Sequence, residues 1–312
     1  MLTSLATLPR PSPSNNRIVV LGGGGGLGSV LRALREHDGD LTVIVPTVES
    51  AVGGRRRAGA GSAVADLRRS LEALTDDNAA LARAIRRPLQ VDRRGRHPLG
   101  NLVLQSLAAA FGDLGKASTW LGAQLGIAGS VLPVTVEPVR LVTDTEPRPV
   151  HGGAPGSPGL IERLRFVPER PPVSVTILDA IKRAHWILLA PGSLARSTLA
   201  TSAVPDVAAA LGSTPAWIVW ICNLKPENGE TAQDQLAALR RHGVRVDAVM
   251  YDPSAALHFV PEGLAGQGID ALPRQLAGSD PGVHDRQLLR KALTEYLSST
   301  GTSEAATSEA VR

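Results

Sequence analysis

Five consecutive glycines, Gly22 to Gly26, stand between an apolar run and a helical pattern, and no other feature constrains the fold as much. The run Arg17-Ile18-Val19-Val20-Leu21 suits a buried parallel strand. After the glycines, Leu27, Val30, Leu31 and Leu34 recur at helical spacing and Gly39 punctuates the end. Leu41-Thr42-Val43-Ile44-Val45 then reads as a second strand. Strand, glycine loop, helix and strand thus fit into about thirty residues, the length of a βαβ opening. Such an opening commits the chain to a parallel sheet with helices on its faces.

The second half repeats the theme. Trp186-Ile187-Leu188-Leu189-Ala190 predicts a strand running into Pro191-Gly192-Ser193, and Trp217-Ile218-Val219-Trp220-Ile221 predicts another, ending at Cys222-Asn223-Leu224. A further strand is expected over Val246 to Met250, with helices over Asp234 to His242 and Gln287 to Leu297. Between the halves, Asp66 to Leu74, Asn78 to Arg87 and Leu99 to Phe111 are expected to be helical, and Leu132 to Val142 is β-rich. The stretch Thr143 to Gly159 is crowded with Pro and Gly and reads as a loop or a short hairpin excursion, and Val173 to Arg183 as an extended lead into a helix. The expected class is α/β: a doubly wound, mostly parallel Rossmann-like sheet with an inserted helical segment. Residues 17–297 are expected to form one nucleotide-binding domain between a disordered leader, 1–16, and a disordered tail, 298–312.

Composition narrows the chemistry. A single cysteine, Cys222, excludes a disulfide framework and every multi-cysteine metal site, and fits a reducing cytosol. No run approaches the ~18 apolar residues of a membrane-spanning helix, so no membrane insertion is expected. Aromatics are only 3% of the chain, too sparse for a surface that stacks single-stranded nucleic acid. The net charge of +4 hides a local excess: eleven Arg against five Asp or Glu lie between Gly53 and His97. Arginine binds phosphate in a planar fork, so this flank favours a phosphorylated ligand; a solvated helix face explains it equally well.

The glycine loop carries the most specific local chemistry. Gly23, Gly25 and Gly28 satisfy G-x-G-x-x-G after a strand and at a helix start, where a Cβ would block phosphate from backbone N–H groups. Glu49 lies 21 residues beyond Gly28, where a ribose-binding acid would stand. A tight turn with no ligand is the plain alternative. A nicotinamide-dependent oxidoreductase is another, although neither Tyr251 nor Tyr296 has a Lys four residues later. The sequence has no G-x-x-x-x-G-K-[S/T], no G-x-S-x-G and no H-E-x-x-H.

Three more stretches place small or polar residues where a strand ends or a helix begins. In His97-Pro98-Leu99-Gly100-Asn101-Leu102, Asn101 suits either a ligand or a helix cap, and His97 either a ligand or a surface loop. Pro191-Gly192-Ser193, with Arg196 and Ser197 one turn on, follows an apolar strand, where ligands of open parallel sheets bind. Cys222-Asn223-Leu224 ends the next strand, with Gly229-Glu230-Thr231 soon after; Asn223 offers an amide to a base or sugar, and Cys222 reads as a small buried residue.

In order and spacing, these stretches resemble the YvcK-like proteins, grouped with the CofD-like phospholactate transferases. The resemblance runs from about Arg17 to Asp252: the glycine loop, Ala65-Asp66-Leu67-Arg68 for G-D-[I/L]-R, and Arg96 to Leu102 for G-H-x-L-G-N-L. It continues with Ala190 to Leu194 for G-P-G-S-L, and Cys222-Asn223-Leu224 with Gly229-Glu230-Thr231 for C-N-L and G-E-T. Two stretches depart: the G-P-G-S-L turn normally continues Tyr-Thr-Ser, and here Ala195 and Arg196 precede Ser197. The family's Asp-Asp-Gly-Gly-Ser-Ser-Gly-Arg loop is here Val48-Glu49-Ser50-Ala51-Val52-Gly53-Gly54-Arg55, with a single carboxylate for a hard cation.

The resemblance implies a cytosolic binder of a nucleotide or nucleotide sugar, UDP-sugar-like, linked to gluconeogenic growth and cell shape, with self-association admitted. On that reading Gly22, Gly23, Gly24, Gly25, Gly26 and Leu27 hold phosphates. Glu49, Arg55, Asp66, Arg68, His97, Gly100 and Asn101 line the pocket from the first half, and Pro191, Gly192, Ser193, Ser197 and Asn223 complete it. The alternative is a CofD-like transferase moving a phospho-organic-acid group from a nucleotide-activated donor to a deazaflavin. In it Mg²⁺ would neutralise phosphate beside Glu49 and Asp66. A diverged paralogue that keeps the fold without the ligand stands behind both.

Overall fold

A computed structural model describes residues 16–49, 51–52, 55–56, 61–92, 95–146, 160–227 and 229–298. Seven strands form one sheet: β1 (Ile18–Leu21), β2 (Leu41–Val45), β3 (Ser130–Pro133), β4 (Trp186–Leu189), β5 (Trp217–Ile221), β6 (Ala248–Tyr251) and β7 (Asp270–Pro273). Their order is β3-β2-β1-β4-β5-β6-β7, and every neighbouring pair is parallel. Because strand side chains alternate faces, each apolar strand feeds two cores. Ile18 and Val20 of β1 join Trp186 and Leu188 of β4 on one face, while Val19 and Leu21 join Ile187 and Leu189 on the other. Helices α1 (Gly24–Leu34), α2 (Gly61–Leu74) and the closing helix Arg286–Ser298 cover the first face. Val175–Arg183, Pro205–Ser213 and Ala232–Arg241 cover the second.

The inserted helical segment lies between β2 and β3. It comprises α2, Ala80–Arg86, Leu99–Phe111 and Leu114–Gln124, with a hairpin of Pro88–Asp92 and Gly95–Pro98 among them. A second small sheet pairs Val139–Glu146 antiparallel with Leu160–Val167, and Val48–Glu49 parallel with the former. The expected β-rich stretch over 132–142 is therefore two strands of different sheets, broken between Pro133 and Val139. Residues 143–146, expected in a loop or short hairpin excursion, continue the second of these strands, which pairs antiparallel with Leu160–Val167; 147–159 lie outside the described residues, as do 1–15 and 299–312.

This order places the functional question at one crevice. Between β1 and β4 the chain changes direction across the sheet, and ligands of open parallel sheets bind beyond the carboxyl ends of the strands at such a switch. The glycine loop leaves the end of β1, and Pro191-Gly192-Ser193 leaves the end of β4.

Candidate functional site

The two loops are built against each other. Gly22 has φ +151° and Gly192 φ +152°, conformations that L side chains rarely adopt. A Cβ on Gly26 would lie 2.1 Å from the Pro191 carbonyl oxygen, so the glycine loop touches the backbone of the second turn directly. Beyond Ser193, residues Leu194–Thr198 make a single π-helical turn, a rare form that occurs frequently at functional sites. That turn brings Ser197 back onto the glycine loop, where its Oγ accepts from the Gly23 N–H at 2.5 Å and donates to the Gly23 carbonyl at 3.1 Å.

Asn223, just past β5, holds Gly192 in the same way. Its Oδ1 accepts from the Gly192 N–H at 2.7 Å, and its Nδ2 donates to the Gly192 carbonyl at 2.9 Å. Asn223 Nδ2 also lies 3.5 Å from Gln235 Oε1, and Gln235 Nε2 donates to Glu230 Oε1 at 2.7 Å. From the opposite side, Asp66 of α2 accepts from the Gly24 N–H at 3.0 Å and from Arg69 Nη2 at 2.6 Å. A buried carboxylate thus stands at the N-terminus of α1, where its charge complements the helix dipole.

Two adjoining clefts of about 370 Å³ each open around this framework. One is lined by Gly23 to Gly25, Val48, Asp66, Arg69, Arg196 and Ser197. The other is lined by Gly25, Gly26, Ser29, Pro191, Asn223 to Pro226, and Gly282 to His284. Gly25, Gly192, Ser193 and Glu227 belong to both, and Glu227 pairs with Arg196 at 3.3 Å. The His284 ring lies 3.1 Å from the Cys222 carbonyl; burial pushes its pKa down, partly opposed by that contact and by Asp252. Burial also pushes the Cys222 thiol well above the usual range, so it is a packing residue and no nucleophile.

Not every residue singled out in the sequence arrives here. Leu27 points into the core. Arg68 reaches away from the clefts, donating from Nε to Asn101 Oδ1 at 2.8 Å and pairing with Glu72. Asn101 is therefore neither a cleft residue nor the helix cap, a position held by Pro98. Gly100 is packed on Arg68 and Ile85, and His97 is exposed in the hairpin. Glu49 and Arg55 are placed by their backbone in the short strands Val48–Glu49 and Arg55–Arg56. Sequence reasoning passed over Ser29, Arg69, Lys225, Glu227 and His284. Arg69 and Lys225 adjoin motifs, but nothing near His284 marks it in the sequence. Among the described arginines of this flank, Arg68 pairs with Glu72 and Arg86 with Asp77, ion pairs that stand apart from the clefts.

Among the described residues, the side chains lining the clefts do not make a divalent-cation site. Asp66 Oδ1 is already shared between Gly24 and Arg69, Glu227 is paired with Arg196, and Val48 is apolar. Among the described residues, no group of three or more His, Cys, Asp or Glu side chains gathers.

Fold and crevice together define a Rossmann-like α/β protein whose strand-end turns meet at the topological switch point. The family model described as 2-phospho-L-lactate transferase CofD matches residues 18–258. The chain belongs to the CofD-like family, among relatives named gluconeogenesis factors. It is 32% identical to the "Putative gluconeogenesis factor" of Deinococcus radiodurans, over 89% of this chain and 65% of that one. The Nostoc relative of the same name is 33% identical over 69% of this chain and 48% of its own length. The chain thus spans about half to two thirds of the first relatives it matches. The "Gluconeogenesis factor" of Bacillus subtilis is 31% identical, with 74% of its length covered. In fold, the chain superposes on the crystal structure of a UPF0052 family member from Bacillus halodurans. The TM-score is 0.77 at 24% identity, covering 90% of this chain and 99% of that one.

Proposed function

We propose that the chain binds a nucleotide sugar of the UDP-sugar class and acts as a regulatory binder. The observation that carries this reading is the pair of clefts meeting at Gly25, Gly192 and Ser193. An elongated ligand with a central diphosphate and a group at each end matches two compartments joined at a glycine loop. Arg69 and Arg196 supply cationic donors on one side, and Lys225 with the Gly25 and Gly26 amides supplies them on the other. Val48 lines the first compartment, and the resemblance sets this apolar residue against the first carboxylate of the family's acidic loop, which supports binding over metal-assisted transfer.

A thermal-shift panel tests this. UDP-N-acetylglucosamine at a hundredfold excess over Kd should raise Tm by about 5 °C without added metal. Arg196→Ala should reduce the shift while leaving the ligand-free Tm nearly unchanged, because Arg196 is exposed. If no UDP-sugar shifts Tm while GDP with Mg²⁺ does, the transferase reading replaces this one.

A further inference from the structure

Two polar side chains of the strand-end motifs, Ser197 and Asn223, have every donor hydrogen committed within the framework. A serine hydroxyl has one O–H to give, and Ser197 gives it to the Gly23 carbonyl while accepting from the same residue's N–H. An asparagine amide has two N–H donors and one oxygen. Asn223 directs one donor to the Gly192 carbonyl and the other to Gln235, and its oxygen accepts from the Gly192 N–H. Each side chain therefore closes on both peptide groups of one glycine in the neighbouring strand's loop.

The contacts form a series across the sheet. Asn223 at the end of β5 holds the turn after β4, and Ser197 beyond that turn holds the loop after β1. Ser197 also fills the space beside Gly192, where a Cβ would come within 3.0 Å of its Oγ. Both held glycines lie on the clefts: Gly192 borders both, and Gly23 borders the one with Arg69.

We propose that Ser197 and Asn223 are positioning residues that set the spacing of the two clefts through Gly23 and Gly192, and that they donate no hydrogen bond to the ligand. Donation to the ligand then falls to the backbone of the two loops and to the cationic side chains around them. The inference deepens the binding reading above and rests on it only for its affinity arm.

Glycine-selective ¹⁵N labelling of the full chain separates the two roles, because the amide signals of Gly23 and Gly192 report their hydrogen bonds directly. In the ligand-free protein, Ser197→Ala should shift the Gly23 amide proton upfield and increase its exchange with solvent. Asn223→Asp, which keeps the oxygen acceptor and removes both donors, should shift Gly192 and leave Gly25 in place. In the affinity arm, each variant should weaken UDP-N-acetylglucosamine about tenfold, the scale of one well-placed hydrogen bond. Unmoved Gly23 and Gly192 signals would overturn the proposal, whether or not affinity falls. If Asn223→Asp does not fold, Asn223→Ser carries the same arm. If wild type ignores UDP-N-acetylglucosamine, the ligand reading fails while the glycine signals still decide the positioning role.

Discussion

The five glycines at the end of β1 serve different purposes. A methyl group on Gly26 would meet the Pro191 carbonyl oxygen at 2.1 Å and its carbon at 2.7 Å, and backbone atoms cannot rotate aside. Gly25 meets nothing within 4 Å and has no positive φ. Gly26→Ala should therefore push the two loops apart and cost roughly 1–3 kcal/mol, a fall in Tm of about 5 °C. Gly25→Ala should be neutral or stabilise α1 by up to ~1 kcal/mol. It should nonetheless weaken nucleotide-sugar binding, since Gly25 borders both clefts. Calorimetry of the two variants checks the contrast; equal Tm values would mean that Gly26 is not in contact with the turn. In the sequence the five residues are indistinguishable. What separates them is a turn supplied by the other half of the chain, which no local pattern encodes.

Among elements, the helix Ala232–Arg241 shows how one motif divides between duties. Thr231 Oγ1 accepts from the Asp234 N–H at 3.2 Å, and Asp234 accepts from the Thr231 N–H at 2.9 Å, a reciprocal capping box. In Gly229-Glu230-Thr231, therefore, Thr231 starts a helix and Glu230 supports Gln235 behind Asn223. Thr231→Ala should cost about 1 kcal/mol, or 2–3 °C in Tm, with ligand affinity unchanged. A variant that keeps its Tm but loses affinity would make Thr231 a ligand contact. Such start signals, with apolar runs, made most of the parallel core legible, since β1, β2, β4 and β5 are continuous buried stretches. Leu114–Gln124 was not legible because Gly115, Thr119 and Gly122 break its helical pattern. Its Gly122 is fixed by close packing on Ile127 and Leu71. The edge strand β7, Asp-Ala-Leu-Pro, is likewise too short and polar to announce itself and forms by pairing with β6.

At the scale of the molecule, the family match ends at residue 258, while the sheet and its lower core continue to Ser298. Beyond that limit lie β7 and the closing helix, whose Tyr296 accepts from Trp217 Nε1 at 2.9 Å and stacks edge-on to Trp186, 5.3 Å between ring centres. Leu276, Leu289, Leu293, Tyr296 and Leu297 are all buried against the first face of the sheet. Burying each is favourable by about 2 kcal/mol before the entropy of ordering is counted, and a typical domain has only ~5–15 kcal/mol of net stability to lose. The site depends on this layer indirectly. Trp186 begins β4 and Trp217 begins β5, the two strands that end in Pro191-Gly192-Ser193 and Asn223. A chain cut after residue 258 should therefore lose its cooperative thermal transition, although every motif of the clefts except His284 and its neighbours remains in it. Its tryptophan emission should shift to the red as Trp186 and Trp217 meet water, with the exposed Trp120 unchanged. A shortened chain that melts cooperatively within a few degrees of the full one would show instead that β1 to β6 hold the crevice without the closing helix.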